Sequence, residues 1–224
     1  MRILFSLLFA ANALFAHTVQ GRDADFLKHV SGTHTGPFLY LGAKHMVTGY
    51  DHLLFLFGVI FFLYRMKDVA IYVTCFAVGH SVTLLTGVLS GIHVNPYLVD
   101  ALIGLSVIYK AFDNLDGFKT MFGFQPNTKA AVLGFGLIHG FGLATKLQEF
   151  NLSTDGLVAN MISFNVGVEL GQLTALSIIL LLMTQWRRTA GFGRYAVLTN
   201  VLLMTAGFVL MGYQLAGYAW GAAA

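Results

Sequence analysis

The chain has 224 residues, of which 57% are hydrophobic and only 10% charged, with a formal net charge of +3. Soluble domains carry roughly 25% charged residues, so the composition sets aside a water-soluble fold in favour of one solvated by lipid. The basic excess does not point to nucleic acid, because Arg and Lys gather at the ends of apolar runs, where membrane topology accounts for them, and the single cysteine, Cys75, leaves no internal disulfide and no CxxC metal site.

Residues 1–16 read Arg2, an apolar stretch and then small residues at Ala11, Ala13 and Ala16, the layout of a secretory signal peptide cut after Ala13 or Ala16. Residues 17–37 are polar and lack the apolar periodicity of a packed helix, so they are expected to lie outside the bilayer as an irregular periplasmic segment. His17, His29 and His34 in that segment are candidates for collecting a divalent ion.

Residues 38–224 are expected to form an all-α, polytopic membrane bundle, with about six transmembrane helices near 38–64, 69–90, 97–112, 130–147, 158–185 and 196–220, each able to span a hydrocarbon core of roughly 30 Å. With the mature N-terminus outside, Arg65, Lys67, Lys110, Lys119, Lys129, Arg187, Arg188 and Arg194 fall on the inner side, and Lys44 and Lys146 on the outer. The positive-inside rule then places both mature termini in the periplasm and the bundle in a bacterial inner membrane. Phe76-Ala-Val78-Gly79 echoes Phe164-Asn-Val166-Gly167, a hint of a 3+3 inverted repeat.

An ionisable group near the bilayer centre costs on the order of 3 kcal/mol or more on insertion scales, so each one calls for a partner or a purpose. The first helix carries His45, Asp51 and His52, whose histidines are nearly two turns apart and share a face. His80 and Ser81 lie near the middle of the second helix. His139 lies in the fourth among Gly134, Gly136, Gly140 and Gly142, which permit close helix approach. In the fifth, Asn165, Glu169 and Gln172 form a polar stripe. His45, Asp51, His52, His80, His139 and Glu169 are the candidate metal ligands and are expected to face one cavity. Ser81, Asp100, Asn165 and Gln172 are candidates for supporting roles or for lining the pathway. Lys110, Asp113, Asn114 and Asp116 read as interfacial and are given no chemistry. Imidazoles and carboxylates without paired thiolates suit nickel, cobalt, zinc or copper(II), and the ligand types do not choose among them. No organic cofactor is expected.

His45-Met-Val-Thr-Gly49-Tyr-Asp51-His52, Gly79-His80-Ser81, His139-Gly140-Phe-Gly142 and Phe164-Asn165-x-Gly167-x-Glu169-Leu-Gly171-Gln172 together resemble the HupE/UreJ family of hydrogenase and urease accessory membrane proteins. Where the hydrogenase-linked branch has His-Pro, this chain has His45-Met46. Where that branch has a further His and a Glu after the His-Gly of the fourth helix, Leu143 and Lys146 stand here. The chain therefore looks more like the second branch. The resemblance implies a nickel permease, metal roles for His45, Asp51 and His52, and with them His80 and His139. It also implies partnership with metalloenzyme-maturation proteins.

Two further functions stay open on the residues alone. One is an intramembrane metalloprotein or redox subunit in which His80 and His139 ligate a haem, and the other is an accessory subunit whose buried polar network serves packing. HExxH is absent, so no protease signature supports an enzyme.

Overall fold

The protein is described by a computed structural model covering residues 22–221. The expected signal peptide at 1–16 and His17 lie outside the described residues. Within them there are nine helices: α1 (Arg22–His29), α2 (Thr35–Thr48), α3 (Tyr50–Ile60), α4 (Met66–Ser90), α5 (Pro96–Asn114), α6 (Gly117–Phe122), α7 (Thr128–Gln148), α8 (Leu157–Arg187) and α9 (Gly191–Gly221). Local chemistry sets several boundaries. Asn95 accepts from the Tyr97 and Leu98 amides with Pro96 next in line, and Asn127 accepts from the Lys129 and Ala130 amides, so α5 and α7 each start on a side-chain cap. At its other end α4 closes on Gly91, whose φ of 63° is left-handed and costs glycine little.

Four helices, α4, α7, α8 and α9, are long and apolar enough to cross a membrane. α5 is 19 residues long but carries Asp100, Lys110 and Asp113. The first expected helix is broken at Gly49, whose φ of −73° and ψ of 98° are extended, leaving 14- and 11-residue pieces. That φ is open to any residue, so the reason for glycine is space. A Cβ on Gly49 would lie 2.7 Å from His52 Nδ1 and 3.3 Å from an Asp51 carboxylate oxygen.

Three close helix pairs organise the bundle. α2 packs on α8 in parallel, with Gly42 against the Phe164 carbonyl and Gly167 and Gly171 against Leu39 and Ala43. α4 packs on α7, also in parallel, with Gly79 against Leu133 and Leu137, Gly136 against Phe76, and Gly140 against His80 and Thr83. α5 and α9 run antiparallel, with Gly104 on Met211 and Gly207 on Ile108. At nearly every one of these glycines a Cβ would intrude on backbone of the partner, so the pairs depend on small residues to bring the main chains together. Asn160 at the start of α8 adds a polar fastening: it accepts from the His34 amide at 2.7 Å and donates to the Gly32 carbonyl at 2.9 Å.

Two elements were not expected. Residues 22–29 form a helix, because Leu27 is buried to 1% exposure and the Phe26 ring packs edge-on against Phe38, 6.0 Å between centroids. Phe26 and Leu27, adjacent round the helix, give it an apolar side that suffices once a neighbouring helix supplies the other half of the contact. Lys44 on α2 also pairs with Asp23 at 2.6 Å. The six-residue α6 sits in the loop between α5 and α7, where Gly117 lies against the Phe112 ring.

Candidate functional site

The break at Gly49 puts Asp51 and His52 at the start of α3, turned inward and 7% and 2% exposed. His52 Nδ1 lies 3.0 Å from Asp51 Oδ1. A carboxylate oxygen accepts, so Nδ1 carries the proton and Nε2 is the nitrogen with a lone pair. On α7 the close approach at Gly136 and Gly140 seats His139 beside α4. His139 Nδ1 donates to the Phe135 carbonyl at 2.7 Å, which again makes Nε2 the acceptor, and that atom is buried without a hydrogen-bond partner among the described residues. Fixing one ring nitrogen so that the other can act as a ligand is the usual arrangement around metals.

The three rings are neighbours. His52 lies 4.9 Å from His139 and 5.1 Å from His45, centroid to centroid. Phe76 packs against His139 at 5.0 Å and stacks on His80 at 6.1 Å, while Phe55 and Phe164 add apolar walls beside His139 and His45. His80 is 1% exposed, and neither of its ring nitrogens has a partner among the described residues. A cavity of about 10 Å³ is lined by His45, His52 and His139 together with Asp100 and Lys146, which bond to each other at 2.9 Å. The rings meet edge to face, and among the described residues no three His, Cys, Asp or Glu are arranged to hold a metal ion.

The other expected residues fall elsewhere. Glu169 is exposed, at the edge of the α8 stripe, so the expectation that it faces the same cavity is not met; it sits a step round the helix from Asn165 and Gln172, which turn inward. Gln172 is fully buried with both amide atoms unpaired among the described residues, and Asn165 donates to the Met161 carbonyl. Ser81 is half-buried on α4. His29 and His34 are exposed and bonded to the carbonyls of Asp25 and Ser31, away from the cavity.

The match to the family described as HupE / UreJ protein extends over residues 21–222, which takes in all of the described residues. The chain belongs to the HupE / UreJ family. The family is associated with nickel or cobalt transport or accessory function rather than with catalysis, and with the four apolar helices it makes this a multi-pass membrane protein. No curated protein and no solved structure matches the chain.

One part of this HupE / UreJ protein escaped the sequence reading. Lys110 and Asp113, given no chemistry from the sequence, are buried, and they pair at 2.5 Å one turn apart on α5. Gln125 donates to the other Asp113 oxygen, and Asn114 next door donates to the Gly58 carbonyl and to Asn200 Oδ1, each at 2.9 Å. The i, i+3 spacing of Lys and Asp was the available signal, overridden by their closeness to a helix end.

Proposed function

We propose that the protein is a permease for a divalent transition-metal ion, nickel first by family resemblance, in a bacterial inner membrane with six crossings and both mature termini outside. In this reading α2 and α3 together make the first crossing and α5 the third. The observation that carries it is the convergence of His45, His52 and His139, from two segments far apart in sequence, on one cavity inside the bundle. His80, buried on the neighbouring α4 without a hydrogen-bond partner among the described residues, extends the polar track. Binding requires neutral imidazoles, so acidification is expected to weaken uptake.

The helix contacts support an inverted repeat of three helices, the plan in which transporters place a site between halves. Gly42 meets Phe164 as Gly136 meets Phe76, and Gly167 meets Leu39 and Ala43 as Gly79 meets Leu133 and Leu137. Gly171 meets Met46 as Thr83 meets Gly140. In the antiparallel pair, Gly104 meets Met211 as Gly207 meets Ile108, and Gly217 meets Tyr97 as Asn114 meets Asn200. One correspondence in constant register, α2 with α7, α4 with α8 and α5 with α9, relates each of these contacts to its counterpart. It brings His45 onto His139.

Metal analysis of purified full-length protein beside His52→Ala tests the reading. Near-stoichiometric colourless metal, lost in the variant, is expected. A visible haem band, or metal content indifferent to His52, would defeat it.

A further inference from the structure

We propose that Lys146 is a tethered cation that competes with an incoming divalent ion for the carboxylate of Asp100 at the mouth of the three-histidine cavity. The inference rests on the permease reading. Lys146 Nζ lies 2.9 Å from Asp100 Oδ2, and the two side chains are only 18% and 11% exposed. Both line the cavity with His45, His52 and His139. Gly142 makes this possible: a Cβ there would stand 2.8 Å from a Val99 methyl and 3.9 Å from Asp100 Oδ1, so α5 can lie against α7 and present the carboxylate.

The cavity, at about 10 Å³, has room for about one water-sized occupant. A divalent ion held by the imidazoles and an ammonium on Asp100 would be like charges in contact in a medium of low polarity, so both cannot be accommodated. Three imidazoles with a carboxylate oxygen are a donor set suited to borderline divalent ions. Lys146 stands two residues before the end of α7 at Gln148, and its four-carbon stem can carry the ammonium out to the membrane surface. Loading therefore displaces Lys146 from Asp100. When the ion moves on, the ammonium returns and spares the largely buried carboxylate from standing alone.

The test is equilibrium nickel binding to the purified full chain, with Ni²⁺ alone as the probe, in wild type, Lys146→Gln, Lys146→Met, Lys146→Arg, Asp100→Asn and the Asp100→Asn/Lys146→Gln pair. Lys146→Gln and Lys146→Met should each bind about tenfold or more tightly than wild type, and Lys146→Arg about as wild type. Asp100→Asn should cost little alone yet abolish the gain in the pair. Lys146→Gln keeps a hydrogen-bond donor for Asp100 and decides the matter if Lys146→Met fails to fold. Folded neutral variants that bind no more tightly than wild type, or a gain that survives in the pair, overturn the competition. If wild type binds nickel through His52 and the neutral variants do not tighten, only this inference falls. If wild type and all variants bind none, the permease reading falls with it.

Discussion

The ring of His52 lies edge-on to that of His139, 4.9 Å between centroids at 67°, with α4 packed alongside both. Each ring has its Nδ1 committed, one to Asp51 and the other to the Phe135 carbonyl, so both present Nε2 as acceptor. Sharing an ion would require the two rings to turn from this edge-to-face contact.

Asp51→Asn should therefore weaken metal binding about 10- to 100-fold while the helices stay formed, because the carboxylate sets the His52 tautomer and orientation. Equilibrium binding together with circular dichroism checks this. Equal affinity in the two proteins would mean that His52 is held by something else.

Gly49→Ala tests the same pair from the backbone side. The φ there admits alanine, yet the added methyl would lie 2.7 Å from His52 Nδ1. We expect metal affinity to fall with little change in melting temperature; a large loss of stability with unchanged affinity would contradict the positional role.

Gly42→Ala and Gly136→Ala each drive a methyl into a carbonyl of the partner helix, at Phe164 and Phe76 respectively. Overpacking of this kind costs about 1–3 kcal/mol. Gly134→Ala, with nothing within 4 Å of its added methyl, should be neutral or slightly stabilising. Thermal unfolding of the three variants in detergent is the measurement, and an equal response would refute the close-packed pairing.

Asp113→Ala strands the buried Lys110 ammonium, and breaking such a pair costs about 3–5 kcal/mol. Replacing both, as Lys110→Met with Asp113→Leu, should cost far less. A double variant no more stable than Asp113→Ala would show that the pair is not what holds this end of α5.

Topology is checked by reporters. Fused after Gly221, a reporter active only outside the cytoplasm should work, and one inserted at the exposed Gly123 should not. The reverse pattern would invert the assignment.

Most of the bundle was legible in the sequence because lipid imposes a coarse rule: long apolar runs must be helices, with the basic residues between them. The histidines of α2, α3, α4 and α7 were legible for the same reason, as groups that hydrocarbon would penalise. What periodicity could not supply was direction within a helix surface. Glu169 and Gln172 look equivalent on a helical wheel, yet Gln172 is buried and Glu169 exposed, because the glycines of α8 fix which edge of the stripe faces α2. The break at Gly49 was hidden because one extended residue leaves no mark in hydropathy. The Lys110–Asp113 pair was hidden because its burial is made by the loop carrying Gln125 and by α9, remote in sequence.

Arg187, at the last turn of α8, donates to the carbonyls of Ile60, Phe61 and Leu63 at the end of α3. The other piece of the broken helix, α2, is clamped to the same α8 through Gly42, Gly167 and Gly171. The α2–α3 segment is thus held on α8 from Leu39 to Met46 and again at Ile60–Leu63, with Gly49 in the interval between the two holds. Any change of bend at Gly49 would therefore be taken up at the start of α3, where Asp51 and His52 stand beside His139. A change of bend too small to alter the outline of the bundle would open or close the spacing between the two imidazoles.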